Sequence, residues 1–140
     1  MKQISERLHV GPQLTAKDIS RAKSQGFAAI INNRPDGEEP GQPSAAENRS
    51  VAEGEELAYT NIPVTAGEIS ESQVRAFQVA LTQADGPVLA HCKTGTRSAT
   101  LYAIGEVLDG RLSKDRVIPF GQSVGLDLSG AVKWLDAHGR

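Results

Sequence analysis

The chain contains the sequence PVLAHCKTGTRS at residues 87–98, which includes its only cysteine. Residues 87–90 form a short apolar run, as in a buried strand. Residues 99–110 are apolar nearly all round and end in glycine, as in a buried helix. Cys92 is therefore predicted to lie in a turn between a strand and the N-terminus of a helix.

This turn combines the features of an anion-binding site with a nucleophile. A helix N-terminus presents unpaired N–H groups and a partial positive charge, and Gly95 allows successive amides to point inward. Arg97 adds a planar cation that can hold two oxygens. Because these groups favour the thiolate, a catalytic role is predicted for Cys92 and Arg97, in preference to a structural cysteine. The predicted anion-binding loop comprises Lys93, Thr94, Gly95, Thr96 and Ser98.

Length and composition exclude several classes of protein. The 140 residues, 39% hydrophobic and 23% charged, predict a single globular domain over residues 1–140. The net charge of −2 argues against binding to nucleic acid or anionic membranes. Neither a membrane span nor a secretory signal is visible, and a lone cysteine suits the reducing cytoplasm. The three histidines are scattered, so no metal or other cofactor is predicted.

Apolar runs of strand length alternate with helical patterns along the chain. Strands are predicted at residues 8–11, 27–32, 59–64 and 87–90. Helices are predicted at residues 15–26, 45–57, 70–84, 99–110, 114–124 and 129–138. The first strand is interpreted as an edge strand, and Pro63 places the third near an edge. The alternation predicts an α/β fold with a mostly parallel sheet flanked by helices on both faces.

Three loops follow the carboxyl ends of predicted strands, where sheets of this kind bind ligands. They contain Cys92, Arg34 and residues 65–68. We therefore expect these loops to ring one pocket, with Arg34 and Glu68 as further lining candidates. Residues 36–46 form a long loop rich in Gly, Pro and Glu, and loops of that length are often functional.

Three stretches together resemble the β-lactamase-hydrolase-like, phosphatase-like domain family. They are INNRPDGE at residues 31–38, YTNIPV at residues 59–64 and the sequence at residues 87–98. The resemblance implies the fold of dual-specificity phosphatases, with an activity of either phosphatase or sulfurtransferase type. It also implies a functional link to a persulfide dioxygenase, to which similar domains are fused in some relatives.

The loop around Cys92 departs from the phosphatase pattern, which has five residues between cysteine and arginine. Only four separate Cys92 from Arg97, as in the Cys-basic-x-Gly-x-Arg loop of rhodaneses, where Lys93 matches the basic residue. A second departure follows the strand at residues 59–64. The aspartate that serves phosphatases as general acid is replaced by Ala66, and Glu68 either substitutes for it or is a solvated loop residue.

These departures favour sulfur transfer as the first hypothesis. Cys92 would take sulfur from thiosulfate or a small persulfide and pass it to an acceptor thiol. The alternative is a cysteine-dependent phosphatase acting on a phosphoester, and a third hypothesis is an anion-binding or persulfide-sensing module without turnover. His91 is expected to brace the loop, and Ser98 to bond the sulfur or cap the helix. A P-loop nucleotide enzyme is excluded because Gly-x4-Gly-Lys-Ser/Thr does not occur.

Overall fold

The computed structural model describes residues 1–140, which form one five-stranded sheet with helices on both faces. The strands are β1 (Lys2–Gln3), β2 (Leu8–Gly11), β3 (Ala29–Asn32), β4 (Ala58–Asn61) and β5 (Val88–His91). The helices are α1 (Ala16–Ser24), α2 (Ala45–Gly54), α3 (Glu71–Gln83), α4 (Thr96–Leu108), α5 (Val117–Ser123) and α6 (Ser129–Ala137). A 3₁₀ turn at Lys114–Arg116 precedes α5.

The strand order is β1-β2-β5-β3-β4, and every pair is parallel except β1 with β2. The predicted α/β class with a mostly parallel sheet is therefore confirmed. The prediction that residues 8–11 form an edge strand is wrong, because the two-residue strand β1 pairs antiparallel outside β2. The strand β4 does lie at the other edge, and Pro63 follows it where no further pairing is required.

Alternate residues of the central strands supply two separate cores. Val88 and Ala90 of β5 belong to the larger core with α3, α4, α5 and α6, whereas Leu89 belongs to the smaller core with α1 and α2. The two-residue period of a strand explains this division, since successive side chains point to opposite faces. The continuous apolar runs in the sequence thus mark strands covered on both faces.

Local sequence signals place the starts of two helices correctly. Thr15 and Ser70 each accept a hydrogen bond from the backbone N–H three residues ahead, and the reciprocal bond completes a capping box. The sequence predicts a single helix at residues 114–124. This segment instead forms the 3₁₀ turn and then α5, with Pro119 in the first turn of α5, where its missing N–H is tolerated. No helix combines the length and apolarity required to cross a membrane.

Candidate active site

The carboxyl ends of three adjacent strands hold the segment around Cys92. The register aligns Gly11 of β2, His91 of β5 and Asn32 of β3, so the residues that follow these strands are neighbours. The Cys92 N–H donates to the Gly11 carbonyl at 3.4 Å, and the Asn33 N–H donates to the His91 carbonyl at 2.8 Å. The backbone on both sides of the cysteine is therefore fixed by the sheet.

Gly95 shapes the turn between Cys92 and α4. Its φ of +103° is a conformation that residues with a side chain rarely adopt, and its N–H donates to the Cys92 sulfur at 3.1 Å. Gly95 is the N-cap of α4 and provides no capping side chain, so the first amides of this helix keep their capacity to bind an anion. Cys92 itself is only 1% exposed.

Two buried side chains support this loop from below. The Nδ1 atom of His91 lies 3.3 Å from the Cys92 carbonyl, which can only accept, so Nδ1 carries the proton. Burial, opposed in part by this hydrogen bond, lowers the pKa of His91 to about 4 and keeps the ring neutral at pH 7. The Ser98 hydroxyl donates to Asn33 Oδ1 at 2.7 Å. Ser98 thus neither donates to the sulfur nor caps α4, contrary to both roles considered from the sequence.

Arg97 is held at one edge of its guanidinium group. Its Nη1 and Nη2 atoms donate to the two carboxylate oxygens of Glu38 at 2.7 and 2.8 Å, and Nη1 also donates to the Val64 carbonyl at 3.0 Å. These bonds leave Nε and the second hydrogen of Nη2 without an oxygen acceptor, and the Cys92 side chain is close enough to interact with this guanidinium group. Donation to Glu38 raises the pKa of Arg97 against the opposing effect of burial, and the adjacent Cys92 also raises it.

Arg34, predicted as a lining residue, is 4% exposed and holds the acidic loop in place. Its Nε donates to Glu38 at 2.8 Å, its Nη2 to Glu39 at 2.9 Å and its Nη1 to Gln13 at 3.1 Å. Glu39 also accepts from Lys93 Nζ at 2.8 Å. One row of alternating charges therefore joins Lys93, Glu39, Arg34, Glu38 and Arg97.

This row keeps both carboxylates ionised. Hydrogen bonds from Arg97, and then from Arg34, lower the pKa of Glu38 to about 2 against the opposing effect of burial. The pKa of Glu39 is also lowered, chiefly by the hydrogen bond from Lys93. Neither carboxyl group carries a proton at neutral pH.

A cleft of about 460 Å³ opens above Arg97. Its lining residues are Arg34, Glu38, Glu39, Thr65, Ala66, Lys93 and Arg97. The structure thus brings Arg34 and the loop at residues 65–66 to the Cys92 turn, as the strand ends predict. Glu68 is exposed, lies outside this lining, and takes part in the turn through its N–H, which donates to the Thr65 carbonyl.

Four residues of the site were given no role from the sequence: Gln13, Asn33, Glu38 and Glu39. A signal was available for Glu38, which ends the family-like stretch at residues 31–38. Glu38 and Glu39 follow Arg34 by four and five residues, a spacing that allows pairing with Arg34 but gives no sign of Arg97 or Lys93. Asn33 and Gln13 reach the site through contacts distant in sequence, and no local pattern marks them.

Sequence and structure comparisons agree with this geometry. A β-lactamase hydrolase-like protein of Agrobacterium fabrum is 46% identical over 134 residues, which are 96% of this chain but 31% of that protein. The structure of a candidate phosphatase from Neisseria meningitidis is 34% identical with a TM-score of 0.85. The match covers 97% of this chain and 96% of the Neisseria chain. Pseudomonas aeruginosa TpbA, solved with phosphotyrosine, is 19% identical with a TM-score of 0.70, covering 96% and 83%.

The mostly parallel sheet with flanking helices is shared with these solved structures, so the chain has a cysteine-phosphatase-like fold. Residues 1–109 match the model of the β-lactamase hydrolase-like protein, phosphatase-like domain. The chain belongs to this family, and it spans about a third of the length of the curated relatives that it matches.

Proposed function

We propose that this chain is a cysteine-dependent phosphatase in which Cys92 forms a phosphocysteine intermediate. One observation carries the proposal: the Cys92 sulfur accepts the Gly95 N–H at the start of α4, beside an arginine with an unoccupied edge. The cysteine-phosphatase fold and the family membership support it.

The reaction would proceed in two displacements. The Cys92 thiolate attacks phosphorus, an S–P bond forms, and the bond to the leaving oxygen breaks with its electron pair. Water then attacks phosphorus, the S–P bond breaks, the thiolate returns, and inorganic phosphate and a proton are released. The backbone amides of the first turn of α4 would hold the phosphoryl oxygens, together with the free edge of Arg97.

Glu38, His91 and Asn33 have positioning roles in this proposal. Glu38 grips the far edge of Arg97 and so turns Nε towards the anion. His91 and Asn33 hold the backbone on which the sulfur lies. Lys93 is half exposed at the mouth of the cleft and would attract the dianionic substrate. The phosphotyrosine complex of TpbA makes aryl phosphates the first substrates to test.

Sulfur transfer is the second candidate, and the length of the turn favours it. Four residues separate Cys92 from Arg97, as in rhodaneses, and the position of a phosphatase general acid holds Ala66. Thiosulfate releases sulfite without a proton donor, so this reaction tolerates both departures. The product on the enzyme would be a Cys92 persulfide, with an acceptor thiol completing the cycle.

One parallel experiment separates the two reactions. The protein is incubated with 4-nitrophenyl phosphate in one reaction and with thiosulfate and cyanide in another. The mass of the intact protein is then measured by mass spectrometry after rapid quenching. The phosphatase proposal expects phosphate release and a transient phosphoryl adduct, both lost in Cys92→Ser. A sulfur adduct with thiocyanate production, and no phosphate release, would replace the proposal with sulfur transfer.

A further inference from the structure

The cleft contains no side chain suited to giving a proton to a leaving group. Glu38 and Glu39 are held as carboxylates by hydrogen bonds from arginine and lysine. Arg34 and Arg97 keep their charge at all ordinary pH values, and the Lys93 ammonium is paired with Glu39. The remaining lining residues are Thr65 and Ala66.

The loop at residues 65–66 forms the side of the cleft where a general acid for the leaving group would lie. The carbonyl of Val64, directly before it, accepts from Arg97 Nη1 at 3.0 Å, and Ala66 lines the same cleft as Arg97. A methyl group occupies this place. His91 is the remaining titratable side chain close to the turn, and it is fully buried with its proton committed to the Cys92 carbonyl.

We infer that the site acts on activated phosphates, meaning those whose leaving group departs as a stable anion, and discriminates against alkyl phosphomonoesters. Acyl phosphates, phosphoanhydrides and esters of acidic phenols belong to this class. This inference rests on the proposed phosphatase function and names its substrate class.

The chemical reason lies in the first displacement. As sulfur bonds to phosphorus, the leaving oxygen takes the electron pair of the breaking bond and becomes an anion. A carboxylate, phosphate or nitrophenolate is stable in that form, whereas an alkoxide is not and must be protonated as it leaves. A general acid that supplies this proton typically contributes about 10²–10⁴-fold in rate. Serine, threonine and sugar phosphates would forgo that contribution here.

The test is the dependence of kcat/KM on the pKa of the leaving phenol, measured with a series of substituted phenyl phosphates. Using kcat/KM reports the first displacement even where hydrolysis of the phosphocysteine limits kcat. We expect kcat/KM to fall by more than about 10²-fold from 4-nitrophenyl to phenyl phosphate, the lower end of a general-acid contribution. Acetyl phosphate should be turned over, and a simple alkyl phosphate should not.

Two substitutions at residue 66 supply a matched comparison. Ala66 is exposed, so neither change should disturb folding. Ala66→Asp should raise kcat/KM for phenyl phosphate at least about tenfold, increasingly so as the pH falls, because a protonated carboxyl then acts as acid. Ala66→Asn introduces a side chain of the same shape without an acidic proton, so kcat/KM should still depend steeply on the pKa of the leaving phenol. Glu68→Gln should also leave it unchanged.

Failure of the inference can be told apart from failure of the proposed function. If all activated phosphates are hydrolysed but phenyl and alkyl phosphates follow within a few-fold, the phosphatase proposal stands and the substrate class is wrong. A loss of activity in Glu68→Gln confined to poor leaving groups would show that Glu68 is an acid, which also overturns the inference. Unchanged dependence in Ala66→Asp would refute residue 66 as the place of the missing proton. If even 4-nitrophenyl and acetyl phosphate give no phosphocysteine, both proposals fail.

Discussion

Replacing Glu38 with glutamine tests whether the carboxylate positions Arg97 or merely competes with the substrate. Glutamine has nearly the same shape but presents one oxygen and one NH₂ group where Glu38 presents two oxygens. Because Arg97 and Arg34 together donate three side-chain hydrogen bonds to this carboxylate, at least one donor loses its acceptor. A hydrogen bond to a charged group contributes about 1.5–3 kcal/mol.

We therefore expect Glu38→Gln to lower the free energy of unfolding by about 2 kcal/mol, since Glu38 is 28% exposed and part of its charge is screened by solvent. A guanidinium group that is free to turn should also lower kcat/KM for 4-nitrophenyl phosphate tenfold or more, or about 1.4 kcal/mol. The assays are urea denaturation and initial rates on the same preparations.

Two control variants make the result specific. Glu53→Gln removes an exposed carboxylate of α2 that has no ion pair or side-chain hydrogen bond, and should change neither quantity. Glu39→Gln breaks the pair with Lys93 but leaves the grip on Arg97, so its effect on kcat/KM should be smaller. A Glu38→Gln protein with higher kcat/KM than the parent would refute the reasoning, because the carboxylate would then be a competitor of the substrate.

Three further predictions concern the turn and its supports. Gly95→Ala should lower the free energy of unfolding by about 1–3 kcal/mol in denaturation experiments, because φ is +103° at this position. The control Gly54→Ala, at the end of α2, should not destabilise the protein. Equal effects of the two substitutions would contradict the strain argument. Arg97→Lys should lower kcat/KM tenfold or more because lysine cannot hold Glu38 and an anion at once, and unchanged rates would mean that Arg97 does not bind the substrate. Burial lowers the pKa of His91 from 6.5 to about 4, so the unfolded chain binds the proton first and stability should fall as the pH drops from 6.5 to 4, by of the order of 3 kcal/mol. The pKa of His9 is also lowered by burial, so the parent and His91→Gln are compared in denaturation experiments across this pH range to isolate the contribution of His91. If both proteins lose the same stability as the pH falls, the His91 argument is wrong.

The parts of the molecule that follow from local sequence were predictable. The capping boxes at Thr15 and Ser70 depend on residues three positions apart, and the strands depend on runs of adjacent apolar residues. The place of Cys92 at a strand-to-helix turn follows in the same way. The rule that ligands bind beyond parallel strand ends then correctly brings Arg34 and residues 65–66 to the same cleft.

The ion-pair row could not be derived in this manner. Glu38 and Arg97 are 59 positions apart, and only the folded sheet shows that the loop after β3 folds over the start of α4. The edge-strand error has a similar cause, because a strand of two residues such as Lys2–Gln3 has no periodicity to recognise. The length of the Cys92 turn favours sulfur transfer, whereas the family and fold comparisons favour the phosphatase alternative.

The row of charges from Lys93 to Arg97 also bears on the charge of an anion that binds beside it. It begins and ends with a cation, so its three positive groups face two negative ones and the arrangement is one anion short. The shortfall lies at the open edge of Arg97, beside the sulfur. The Cys92 thiolate that the proposed mechanism requires would complete the alternation, so the charges of a bound oxyanion would rely on the open edge of Arg97 and on the amides of the turn. Affinity for simple oxyanions should therefore be set by the Arg97 end of the row, and added salt should weaken it less than it would at an open cluster of lysines.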